Sequence, residues 1–138
     1  MSFREKSAWI TLISILLVFV LYVLHVPNMF EPDPGIWELH VVGMTIVTFI
    51  VIEVVAHIVL YLKFPKDART PKDERERLID LKATRLAAYV FVLGTFVAIM
   101  TPHFGVTGFA VTLYVIFAFV IAEIVNYSAR IIYYRRGV

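Results

Sequence analysis

The chain contains no cysteine. That absence excludes disulfides, thiolate metal sites and iron–sulfur clusters, and it leaves the redox compartment unread. Positive charge is missing from two long stretches: none of the 13 Lys and Arg lies between residues 7 and 62 or between residues 86 and 129. No phosphate-cradling glycine loop, GxSxG elbow or paired CxxC occurs. An enzyme is therefore not expected, and no cofactor is expected either. What the sequence has in excess is apolar surface. Hydrophobic residues make up 60% of the 138 and charged ones 17%, where a soluble domain has roughly half apolar and about a quarter charged. The composition is that of an integral membrane protein, with little chain left over for a soluble module.

The expected fold class is an all-α membrane protein of one domain with four transmembrane helices. The apolar runs place the spans at about residues 8–27, 36–63, 83–101 and 107–130, each long enough at 1.5 Å per residue to cross a core of about 30 Å. The first run is longer than the core of a signal peptide, and no small-x-small cleavage site closes it. The turn NMFEPDPGIW, with Pro32, Pro34 and Gly35, breaks the helix between the first two spans. All basic residues fall in three blocks: Arg4 and Lys6, Lys63 to Arg85, and Arg130 to Arg136. Basic side chains stay on the cytoplasmic side during insertion, so the three blocks share that side and both termini are cytoplasmic. Trp9 and Trp37 fall where interfacial anchors belong.

Residues 64–85 form the one substantial polar segment. In TPKD, Thr70 is the expected N-cap, Pro71 the first helical residue and Asp73 the third residue after the cap. Asp73 and Arg77 are spaced to pair at i, i+4. The spacing predicts a helix that begins in the charged loop and runs unbroken into the third span. Asp73, Glu74, Arg75, Glu76 and Arg77 are read in two ways: as a solvated, salt-bridged extension, or as a docking surface for a cytoplasmic protein partner. Asp67, Asp73, Glu74, Glu76 and Asp80 nearly balance the basic residues there, which argues against direct nucleic-acid binding.

FIVIEVV, residues 49–55, and FVIAEIV, residues 119–125, align at an offset of 70. The offset is half the chain, and each half has the order basic segment, span, turn, span with an acid, so a parallel two-helix internal repeat is expected. It would bring Glu53 and Glu123 to the same depth. An ionised acid at the bilayer centre costs about 2.5 to 3.5 kcal/mol on insertion scales, so two of them need a reason. On the second span Gly43, Ile46, Ile50, Glu53, His57 and Leu60 share a face. On the fourth, Ile116, Glu123, Tyr127, Arg130 and Tyr134 do so, with Asn126 alongside. The two stripes are expected to meet each other or Arg85, bringing the second, third and fourth spans together.

Two readings of this cluster are open. In one, Glu53 with His57 or Asn126, and Glu123 with Arg85 or Arg130, are interhelical ties, since lipid supplies no hydrophobic drive between helices. In the other, a carboxyl withdrawn from water and an imidazole one turn away exchange a proton, as a proton-coupled carrier requires. His25, His40 and His103 fall near the outer ends of spans and are weak metal candidates, without HExxH or HxH spacing; no metal site is expected.

At DERERLIDLKATRLAAYVF, residues 73–91, the chain resembles a group of small prokaryotic membrane proteins marked by a DERE-type motif leading into a span. IEVVAHIV and the terminal AEIVNYSARIIYYRRG resemble the same group. The resemblance implies four spans and a bacterial or archaeal inner membrane, and carries no activity or catalytic residue. Genes of this kind often accompany helix-turn-helix regulators, which implies a membrane partner for a transcription factor. The function expected first is that of a regulatory or accessory partner acting through the charged helix; the alternatives are a small proton- or cation-coupled transporter using Glu53 and Glu123, and a structural subunit of a larger membrane complex. Beside the lipid bilayer, the partners weighed are a cytoplasmic protein and a second copy of the chain.

Overall fold

The computed structural model describes residues 1–26 and 35–136, and the turn at Pro32 and Pro34 lies outside them. The chain forms α1 (Phe3–His25), α2 (Ile36–Lys63), α3 (Pro65–Arg69), α4 (Glu74–Met100) and α5 (Gly108–Arg136), with a 3₁₀ turn at Thr101–Phe104. Four of these helices, α1, α2, α4 and α5, are long and apolar enough to cross a membrane. Most of their large aliphatic side chains are exposed, and only Val42 and Leu60 of α2 are fully buried. That pattern is inverted relative to a water-soluble protein and suits a solvent of hydrocarbon.

The helix ends follow local hydrogen bonding. Ser2 caps α1 by accepting from the Glu5 amide at 3.1 Å. Asp73, and not Thr70, caps α4: its carboxylate accepts from the Glu76 amide at 2.6 Å. The reason is that Thr70 is already committed. It closes α3, its hydroxyl donates back to the Lys66 carbonyl at 3.2 Å, and its own carbonyl accepts from Arg4 Nη2 at 3.2 Å. The Asp73 carboxylate is spent on the cap, and the expected ion pair with Arg77 does not form. From that cap α4 runs unbroken through Met100, as the spacing predicts. Gly105 ends the 3₁₀ turn at φ 83, a left-handed backbone that favours glycine.

The helices pack in the spatial order α2, α1, α5, α4, with α2 also leaning lightly on α5. The α4–α5 seam is the tightest. It is lined by Ala83, Ala87, Gly94 and Ala98 on α4 and by Ala110, Ala118, Ala122 and Ala129 on α5, small residues at helical spacing that let two backbones approach. α1 is held between α2 and α5 by two apolar clusters. Tyr22, Val26, Val42, Leu113 and Phe117 form one, with the Phe19 and Tyr22 rings edge-on to Phe117 at 5.8 and 6.0 Å. Ala8, Leu12 and Ile131 form the other, toward the end that carries the basic residues.

This order corrects two expectations. α2 and α4 do not pack on each other, so the second, third and fourth spans do not meet. The 70-residue shift does carry α1–α2 onto α4–α5 as a succession of elements. A two-fold packing would also require α2–α4 to copy α1–α5, and it does not. The alanine seam lets α4 and α5 close tightly, whereas α1, with bulkier Leu, Ile and Val on its buried face, spreads across two neighbours.

Candidate functional site

The polar residues of the spans converge on α1, a helix the sequence had not implicated. Thr11 of α1 donates to Glu53 Oε2 at 2.9 Å. His57, one turn further along α2, directs Nδ1 at the Glu53 carbonyl at 2.9 Å, and the same nitrogen lies 3.3 Å from Glu53 Oε2. A carbonyl oxygen only accepts, so Nδ1 carries the hydrogen. Nε2 lies 2.9 Å from Ser7 Oγ of α1, which donates to it when the ring is neutral. The Glu53–His57 pairing is one of those expected; its anchoring by Ser7 and Thr11 is new. The Glu53 side chain is 16% exposed, and its Oε1 is buried without a hydrogen-bond partner among the described residues.

On α5 the chain of contacts runs toward the basic end. Asn126 donates to Glu123 Oε2 at 3.3 Å, and Arg130 Nε donates to Asn126 Oδ1 at 3.1 Å. Arg130 Nη1 then reaches Asp80 Oδ1 of α4 at 3.3 Å, and Lys72 holds the other oxygen of the same carboxylate. Tyr127 sits beside Thr11, within electrostatic reach of Arg130, Glu123 and Glu53. It therefore joins the α2 half of the cluster to the α5 half. Glu53 and Glu123 thus belong to one polar layer, but through Thr11 and Tyr127 rather than by direct contact.

Arg85 is not part of it. It lies on the exposed side of α4, makes no ion pair among the described residues, and reaches neither acid. Its place is taken by Arg130 through Asn126. The expected α2 stripe holds at Glu53, His57 and Leu60 and is rotated in its first half: Gly43 and Ile50 are exposed, Ile46 is exposed but lines an apolar cavity, and Val42, Thr45 and Phe49 turn inward.

Two cavities flank this layer. Toward the basic end is a polar one of about 160 Å³, walled by Arg4, Ser7, Thr11, His57, Lys72, Asp80, Tyr127, Arg130 and Tyr134 among others. Toward the far end is an apolar one of about 180 Å³ between α1, α2 and α5, walled by Phe19, Phe49, Phe117 and Phe119 and floored by Glu123. His57 stands in the wall of the polar cavity, and Glu53 lies directly behind it and Thr11.

Much of the charged helix is engaged by the protein itself. Asp73 caps α4, Glu76 pairs with Arg4 Nε at 3.2 Å, and Arg75 Nη2 donates to the Tyr134 carbonyl at 3.4 Å. Glu74 and Arg77 remain exposed and unpaired among the described residues. Arg69, outside the spans, donates to the Tyr61 hydroxyl at 3.2 Å, which raises its pKa further above the ordinary guanidinium value. His25, His40 and His103 each turn Nδ1 to a carbonyl of their own segment, at 2.7, 2.8 and 3.3 Å. Among the described residues no three His, Asp or Glu come together as metal ligands would.

Compared with family models, curated proteins and solved structures, the chain shows no match.

Proposed function

We propose that the protein is a non-enzymatic, multi-pass protein of a prokaryotic inner membrane, with both termini cytoplasmic, and that it acts as a small proton- or cation-coupled transporter built on Glu53 and Glu123. One observation carries the reading. The Glu53 carboxylate is partly buried one contact behind the polar cavity, with Thr11 and His57, which line that cavity, against one oxygen, and the other oxygen buried with no hydrogen-bond partner among the described residues. His57 lines the polar cavity and is hydrogen-bonded on both ring nitrogens, the geometry of a proton relay. Intramembrane ionisable groups face a cavity or a partner and mark ion and proton routes.

The test is a proteoliposome carrying an internal pH dye under an imposed pH gradient. A panel of inorganic cations, organic cations and oxyanions is added outside. A compound that collapses the gradient through the wild type should do so at least tenfold more slowly through Glu53→Gln and Glu123→Gln, both monodisperse in detergent. Equal rates in wild type and variants, or no compound that moves protons, would set the reading aside.

A regulatory or accessory role is the second reading, supported by the exposed Leu78 and Leu81 beside the unpaired Glu74 and Arg77. Native mass spectrometry of protein extracted at its natural level separates the two. A defined second polypeptide lost on Arg77→Glu supports the partner; a homodimer or monomer leaves transport in place.

A further inference from the structure

The polar cavity at the basic end has more positive charge than its own acids neutralise. Arg4 from α1, Lys72 from the α3–α4 link and Arg130 from α5 converge on it, against a single carboxylate in its wall, Asp80. Asp80 is shared between Lys72 and Arg130. Glu76 pairs with Arg4 from outside the wall. Three cations and one carboxylate therefore stand in the wall itself, while the other acids, Glu76 on Arg4, Glu53 on Thr11 and His57, and Glu123 on Asn126, lie one contact outside it. The donors are in excess as well. Arg4 uses Nε and Nη2, and Arg130 uses Nε and Nη1, so Arg4 Nη1 and Arg130 Nη2 have no hydrogen-bond partner among the described residues. The hydroxyl-bearing Ser7, Thr11, Tyr127 and Tyr134 also line it.

We infer that this cavity binds a phosphate-type oxyanion. The chemistry of the wall selects it: guanidinium and ammonium donors arriving from three segments match a tetrahedral anion with several acceptor oxygens. The room of about 160 Å³ is well above the roughly 10–15 Å³ that one water requires, so a polyatomic ion fits with part of its hydration. The three cationic side chains in the wall disfavour a metal cation against them, and an apolar ligand would strand their free donors. Two sources supply the same group, a free phosphate in the aqueous phase and the headgroup of an anionic phospholipid at the membrane surface. The inference rests on the cavity alone and does not depend on transport.

The experiment is a ³¹P NMR titration of the full chain in a phosphorus-free detergent, first with inorganic phosphate and then with phosphatidylglycerol in the mixed micelle. The expected result is saturable broadening of one signal. Phosphate alone identifies a free oxyanion, and phosphatidylglycerol alone a lipid headgroup. Lys72→Gln, at a partly exposed link residue, should weaken the binding about tenfold, the loss of one charge-assisted hydrogen bond. Asp80→Asn should strengthen it, because the competing carboxylate is removed. Lys82→Gln, an exposed basic residue on α4 outside the cavity wall, should leave it unchanged. No saturable broadening by either probe would overturn the inference, as would equal weakening by Lys72→Gln and Lys82→Gln, which signifies charge attraction without a site.

Discussion

A methyl group added at Gly94 would enter the α4–α5 crossing, where the nearest atoms are Ala118 Cβ at 2.7 Å and Ala118 Cα at 3.4 Å. Ordinary contact begins at 3.4 Å, so the helices must part by about 0.7 Å. Ala118 cannot yield by changing rotamer, because its Cβ is fixed to the backbone. A radial gap of about 0.5 to 1 Å forfeits a quarter to a half of the dispersion attraction between facing atoms. The loss extends along the seam to Ala87, Ala98 and Ala122. Overpacking of this kind costs about 1 to 3 kcal/mol, partly masked by the roughly 1 kcal/mol that alanine gains over glycine as a helix former. Gly43 supplies the reference, since nothing lies within 4 Å of a Cβ built there. Unfolding in mixed sodium dodecyl sulfate micelles, followed by circular dichroism, should therefore show Gly94→Ala less stable than Gly43→Ala by about 1 to 3 kcal/mol. Ala118→Gly, which by itself costs roughly 1 kcal/mol as a glycine in a helix, should be far less costly in the Gly94→Ala background, where it relieves the overlap, than in the wild type. Equal stability of Gly94→Ala and Gly43→Ala would refute the close crossing and the small-residue account of it.

Three further outcomes follow from the hydrogen-bond assignments. Asp73→Ala should cost about 0.5 to 2 kcal/mol as a lost cap and should speed hydrogen exchange at the Glu76 amide, whereas Thr70→Ala should leave that amide protected. Thr11→Val removes the donor to a buried carboxylate and should destabilise by about 1 to 3 kcal/mol; Thr11→Ser, which keeps the hydroxyl, should recover most of it in the same unfolding assay. Asp80→Asn releases Lys72 and Arg130, so trypsin should cut after Lys72 faster than in the wild type, with global stability falling by only about 1 kcal/mol because both pairs are partly exposed. Unchanged cleavage would show that Asp80 does not hold the α3–α4 link.

The kind and order of the elements follow from the residues alone. Apolar runs bounded by charge have a length set by the bilayer, so four long helices and the unbroken entry of α4 into its apolar stretch were legible without any contact information. The sequence also singled out Glu53, His57, Glu123, Asn126, Tyr127 and Arg130, because a polar side chain in an apolar run is conspicuous on its own. Which helices are neighbours is a matter of packing in three dimensions. A helix of this composition is apolar on every face, so periodicity does not say which face meets its neighbours. The first half of the α2 stripe was misplaced for that reason, and Arg85 was assigned to the cluster although it faces outward. Ser7 and Thr11 were missed because a hydroxyl in an apolar helix can satisfy itself on its own backbone. Thr45, Thr48 and Thr112 do so, at 2.8, 2.9 and 3.1 Å from the carbonyl four residues back, whereas Thr11 and Ser7 cross to α2. Nothing in the sequence separates these cases, since the choice depends on whether a stronger acceptor stands opposite. The placement of α1 between α2 and α5 supplies that acceptor.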